Sequence, residues 1–202
     1  MNIAMASRLS LAALLLGLVA ACSTAPSQHY ILRAREVPPA STGDLSIGVG
    51  PVTLPNYLQR NNFVITREQN RLQIDSTERW AEPLENGISR VISINLAGLL
   101  DTQDVRSYPW HPKRLPDFAV QLRVLEMEAD SSEARLIAEW LLLSPGSDGA
   151  LERRIAQFQQ ALPANADAGA MAAAYSDLLY QLSRQIAEAV KAARPGTSGA
   201  AD

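Results

Sequence analysis

Cysteine is all but missing: the 202-residue chain holds one, Cys22. A single cysteine cannot close an intramolecular disulfide. Histidine is nearly as scarce, with only His29 and His111, and neither has a second ligand at metal-binding spacing. That argues against a zinc site. No G-x-S-x-G run supplies a serine nucleophile. The acidic pairs Glu82 with Glu85 and Glu126 with Glu128 read as a helix start and the solvated face of a strand rather than as acid–base machinery. Gly48 and Gly50 stand close together in "SIGVGPVTLPNYLQR" (46–60), but Pro51 follows at once and Pro55 soon after. Proline offers no N–H, no Lys-Ser or Lys-Thr pair follows, and no third glycine completes a dinucleotide fingerprint. The stretch is therefore no phosphate cradle. The expectation is a protein that is not an enzyme and uses no metal or cofactor.

Long apolar runs are also absent, apart from one at the N-terminus. Residues 1–21 place Arg8 ahead of "LAALLLGLVAA", too short and too small-residued for a comfortable membrane span. The layout is that of a signal peptide. It ends in "VAAC", which resembles a bacterial lipobox with Cys22 as the acylated first residue of the mature chain. Acyl chains would then supply the membrane attachment, with no need for a spanning helix. Ser23, not aspartate, follows the cysteine, and by lipoprotein sorting rules this favours the periplasmic leaflet of the outer membrane. The proposed organisation is a signal peptide at 1–21, a lipidated tether at 22–28, one domain at 29–194, and a flexible tail at 195–202. Removing the signal leaves 181 residues, with 17 basic against 21 acidic ones. That length suffices for one real core. That balance gives no overall electrostatic case for nucleic acid or for anionic headgroups.

Periodicity supplies the elements. Residues 29–34 suit a first strand. In 45–54, Leu45, Ile47 and Val49 alternate with Ser46, Gly48 and Gly50, the period of a strand. Two short strands at 63–66 and 71–75 flank a polar turn with Asn70. Residues 83–100 read as a helix: Leu84, Ile88, Val91, Ile92, Leu96, Leu99 and Leu100 recur at three- and four-residue steps, with Pro83 in its first turn. A short strand in 105–110 stops at Pro109. Residues 117–130 alternate until Leu125 and Met127, where the phase slips and a bulge is expected. In 133–144, Ala134, Leu136, Ala138, Trp140 and Leu142 share one face, and Leu141 with Leu143 suggests cover on both faces near the end. "PGSDG" is a hairpin turn, "LERRIAQFQQAL" a returning strand, and 168–193 a closing helix with Met171, Tyr175, Leu178, Leu179, Leu182, Ile186 and Val190 on one face. Two main helices on a mixed, largely antiparallel sheet make an α+β two-layer sandwich.

Three stretches carry a family resemblance: "IGVGPVTLPNYLQRNNFVIT" (47–66), "RWAEPLENGISRVISINLAGLL" (79–100) and "YPW" (108–110). In this order, after a lipobox, they resemble the PqiC/YmbA family of ABC-transport auxiliary lipoproteins. The resemblance implies a non-enzymatic subunit of an envelope-spanning lipid-transport system. Its partner would be an MCE-domain tunnel protein of the PqiB type and, indirectly, that protein's inner-membrane partner. It also implies a homo-oligomeric ring at the outer membrane that docks the tunnel. Pro51, Leu54, Pro55, Tyr57 and Leu58 then become candidate interface residues, because prolines stiffen a loop and tyrosine is a favoured anchor. Trp110, between Pro109 and His111, is a further candidate at an interface or membrane surface, while Trp80 reads as a lid on the core and Arg79 as a partner for Glu82 or Glu85. Two other classes stand beside this one. A periplasmic lipid-binding carrier would show a long apolar cavity, and the 5% aromatic content neither demands nor excludes it. A wall-binding envelope lipoprotein would stay on peptidoglycan.

Overall fold

The computed structural model of the protein describes residues 26–40, 43–68, 70–146 and 149–194. The expected signal peptide, Cys22 and the tail lie outside them. Within them the chain runs through β1 (Gln28–Tyr30), β2 (Ile47–Thr53), β3 (Asn62–Arg67), β4 (Arg71–Trp80), α1 (Leu84–Leu99), β5 (Val105–Ser107), β6 (Phe118–Ala129), β7 (Glu133–Leu143), β8 (Ala150–Ala161) and α2 (Ala168–Ala193). The strands form two sheets, ordered β1-β4-β3 and β5-β2-β6-β7-β8. The α+β sandwich stands, with its strands divided between a small sheet and a large one.

Alternation builds the large sheet. Ala134, Leu136, Ala138, Trp140 and Leu142 of β7 are all buried and face Ala129, Met127, Val124, Leu122 and Val120 of β6. The β6–β7 register shifts between Val124 and Glu126. The slip in period at Leu125 is thus a bulge, the extra residue that returns Met127 to the inner face. On the outer face Arg123 pairs with Glu139, which also holds Arg153. Leu141 and Leu143 remain half-buried there, so among the described residues no second layer covers the end of β7. β7 and β8 pair antiparallel, as the hairpin required, while β2 runs parallel to both β5 and β6.

Both helices lie against the large sheet. α1 buries Ile88, Val91, Ile92 and Leu96, and α2 buries Leu178, Leu179, Leu182, Ile186 and Val190, all at 0% exposure. A small-residue row on β7, Ala134 and Ala138, gives the α2 leucines room to interdigitate. Pro83 is the N-cap of α1 rather than part of its first turn. Asp167 caps α2, its carboxylate accepting from the Ala170 N–H at 2.8 Å.

The first strand is shorter than its sequence suggests. β1 ends at Tyr30, and the chain then crosses the two helices as a strap. Ser176 Oγ accepts from the Arg33 N–H at 3.1 Å, and Asn95 Oδ1 accepts from Arg35 at 2.9 Å and Glu36 at 3.2 Å. Arg90 donates to the Leu32 carbonyl at 3.0 Å, and Leu32 itself is buried. These side chains replace the sheet ladder that a continuing strand would have needed.

Candidate docking surface

The β2 strand carries its glycines because aromatic rings press on them. A Cβ on Gly48 would stand 2.5 Å from Trp110 Cε2, and one on Gly50 would stand 2.8 Å from Tyr108 Cβ. Gly50 also has φ +116, a conformation L side chains avoid. Trp110 lies on this strand with its indole N–H donating to the Arg106 carbonyl at 3.1 Å, and Tyr108 meets it edge-on with ring centroids 5.3 Å apart. Trp110 therefore keeps only part of its surface for solvent, while Tyr108 is 53% exposed.

Arg106 fixes the loop that follows. It pairs with Asp104, and its guanidinium donates to the carbonyls of Arg114 and Leu115 at 3.0 Å each. The pairing holds the Asp104 carboxyl below the usual carboxylate range. His111 Nδ1 accepts from the Lys113 N–H at 3.1 Å, and the His111 carbonyl from the Arg114 N–H at 2.8 Å. The loop at 108–116 is thus a pinned platform at the edge of the large sheet.

The proline-bracketed turn after β2 sits elsewhere. Residues Asn56–Leu58 make one turn of 3₁₀ helix. Leu54 and Leu58 point into the core, 8% and 5% exposed. Their apolar surface is committed to this chain's own packing, leaving Pro51, Pro55 and Tyr57, each half-buried, with area to offer. Tyr57 Oη lies 3.5 Å from Glu128 Oε1, and Glu128 Oε2 accepts from Thr66 Oγ1 at 3.2 Å. Burial, with Glu128 beside it, pushes the Tyr57 phenol up to about 12. Sequence reasoning placed Tyr57 and Trp110 together as candidates; the fold puts them on separate surfaces, Tyr57 beside Glu128 near the end of β6 and Trp110 on the first half of β2.

Trp80 is a core residue, 5% exposed and stacked on Phe63 at 4.6 Å, with Tyr175 beyond. Glu82 pairs with Arg90 one face down the helix, not with Arg79, whose guanidinium reaches the Ser76 carbonyl. That pairing was concealed because Glu82 precedes the helix and the spacing of eight residues carries no helical signature. Among the described residues no group of three His, Cys, Asp or Glu side chains can hold a metal ion. Among the same residues no helix is long and apolar enough to cross a membrane. One cleft, between β1, β3, β4 and the start of α2, is polar, lined by Arg67, Asp75, Glu78 and Asp167.

Comparison with known proteins gives the fold its context. A solved Xanthomonas campestris protein of the DUF330 family superimposes with a TM-score of 0.65 at 16% identity, over 80% of this chain and 93% of that one. A second solved structure, described as an uncharacterized protein, gives 0.58 at 19% identity, over 82% and 97%. At these identities the likeness establishes the fold. No curated protein matches the chain. A family model for the ABC-type transport auxiliary lipoprotein component matches residues 30–187, from the end of β1 through most of α2. The resemblance carried by the β2, α1 and Tyr-Pro-Trp stretches and the architecture of two helices on a mixed sheet agree with that match, and the chain belongs to the family of ABC-type transport auxiliary lipoproteins.

Proposed function

We propose that the protein is the outer-membrane lipoprotein subunit of an MCE-type, PqiABC-like lipid-transport system, where it docks and stabilises the periplasmic tunnel. The observation that carries this reading is the family match across the whole two-layer domain. Cys22 provides the acyl anchor, and Ser23 after it favours the outer membrane. The copies assemble as a ring, with Pro51, Pro55 and Tyr57 offering surface to a neighbour or to the tunnel. The described interior speaks against a lipid carrier. An acyl chain held between helices and sheet would need the space filled by Trp140, Leu178, Leu179 and Leu182, all at 0% exposure.

The test is in-cell crosslinking of the full-length lipoprotein, followed by affinity capture and mass spectrometry. Recovery of an MCE-domain protein, lost on Cys22→Ala, supports the reading. Capture of no transport component, with expression and membrane fractionation verified, refutes it. Tyr57→Ala in a still-folded protein should weaken the crosslink if the turn is part of the dock.

A further inference from the structure

The 108–116 platform has a chemistry that the net charge of the chain conceals. The twelve residues between Asp104 and Asp117 contain Arg106, Lys113 and Arg114 and no carboxylate. Arg106 is neutralised by Asp104. Lys113 and Arg114 are exposed and form no ion pair among the described residues. The nearest acid on the far side, Asp117, turns its carboxylate to Ser46, accepting from its N–H at 2.8 Å and its hydroxyl at 2.7 Å. The same loop exposes Tyr108 at 53% and Leu115 at 45%, and holds Trp110, half-buried, against Gly48.

Aromatic rings with a polar tip, an exposed leucine and exposed cations form the composition that settles at a lipid–water boundary. We propose that the 108–116 loop is a second membrane contact, seating on the anionic phospholipid surface of the leaflet that holds the anchor. The proposal rests on the lipid-anchored reading above, because a tethered domain is kept at high local concentration beside that leaflet, where a weak contact suffices. Charge complementarity with phosphate headgroups selects a bilayer. The pinning of the loop by Arg106 removes the ordering cost that a mobile loop would carry.

The contact also sets orientation. The tether enters at β1, where the Tyr30 ring packs by Gly169 at the start of α2, beyond the Ala161 end of β8. That end lies by Ala134 and Ala129, whereas the loop delivers the chain to Phe118. The two attachments therefore sit at opposite ends of β6, roughly 40 Å apart for a twelve-residue strand. With both engaged, the long axis of the sheet lies along the membrane.

Trp110 is a built-in reporter, because the other two tryptophans, Trp80 and Trp140, are 5% and 0% exposed. The mature chain carrying Cys22→Ser, which has no acyl anchor, is mixed with vesicles of phosphatidylcholine alone or with phosphatidylglycerol. Quenching of tryptophan emission by brominated lipid and co-sedimentation are then measured. Quenching confined to the phosphatidylglycerol vesicles, abolished by salt, is expected. Lys113→Gln with Arg114→Gln should weaken binding roughly thirtyfold, and Tyr108→Ala with Leu115→Ala should lose the quenching while the circular dichroism stays unchanged. Equal quenching in both vesicle types, none in either, or binding that survives both double variants overturns the proposal, and capture of a protein through this loop without vesicle binding does the same. Fractionation of the wild-type lipoprotein reports separately on the anchor, so failure of that reading is seen apart from failure of the loop.

Discussion

Leu58 and Tyr57 are neighbours with opposite duties. Leu58 fills the core, so Leu58→Ala should cost about 2–5 kcal/mol in urea unfolding, while Tyr57→Phe should leave stability within about 1 kcal/mol because the contact with Glu128 is long. A similar loss from both would show that the phenol is structural. At Gly48 an added methyl would meet the Trp110 ring, so Gly48→Ala should destabilise by about 1–3 kcal/mol and shift tryptophan emission as the indole is displaced. Unchanged emission would disprove the contact. Asp130 closes the β6–β7 turn by accepting from the Ser132 N–H at 2.6 Å and the Glu133 N–H at 3.0 Å, which holds its carboxyl below the usual range. A depressed carboxyl contributes fully above its unfolded pKa, and the contribution disappears as pH falls through the folded value. Stability should therefore drop below about pH 4, and Asp130→Ala should flatten that acid limb while lowering the neutral plateau. An acid limb identical to wild type would assign the titration to other carboxylates.

At the scale of elements, the strap at 31–37 shows how an irregular segment can be held without a ladder. Asn95 is fully buried and serves two backbone N–H groups with one oxygen, while its amide donates to Ser183 Oγ at 3.3 Å. Removing it takes the acceptor from both strap N–H groups and the donor from the buried Ser183 hydroxyl, and each group left unsatisfied costs about 1–3 kcal/mol. Asn95→Ala should lower stability by roughly 2–4 kcal/mol on that basis. It should also raise amide exchange at Arg35 and Glu36 well before that of β6 and β7. Exchange rising equally everywhere would mean the strap opens only with the whole domain. The strap matters for function because it joins the proposed anchor to both helices.

For the whole molecule, the two sheets share one interior. Phe63 of the small sheet stacks on Trp80, and both approach Tyr175 of α2, which in turn lies over the large sheet. Burial drives the Tyr175 phenol strongly upward. A shared core implies one cooperative transition. Tryptophan fluorescence, near-ultraviolet and far-ultraviolet circular dichroism should coincide in urea. Separate midpoints would show that the small sheet melts alone.

The sequence by itself determined the period of most elements, the bulge at Leu125, the buried faces of both helices and the family, while 151–162, ambiguous in period, read as a strand only from the turn before it. These follow from nearest-neighbour chemistry, since a strand or helix must turn its apolar residues one way wherever it packs. It could not divide the strands between two sheets or run β2 parallel to β6, because alternation reports a buried face and never a partner. Leu54 and Leu58 looked available in a proline-bracketed turn until the fold turned them inward. Trp110, between Pro109 and His111, stood as a candidate for exposure until Gly48 provided a floor for its ring. Only the tertiary structure decided those positions, because whether an apolar side chain is core or surface depends on what distant residues bring against it.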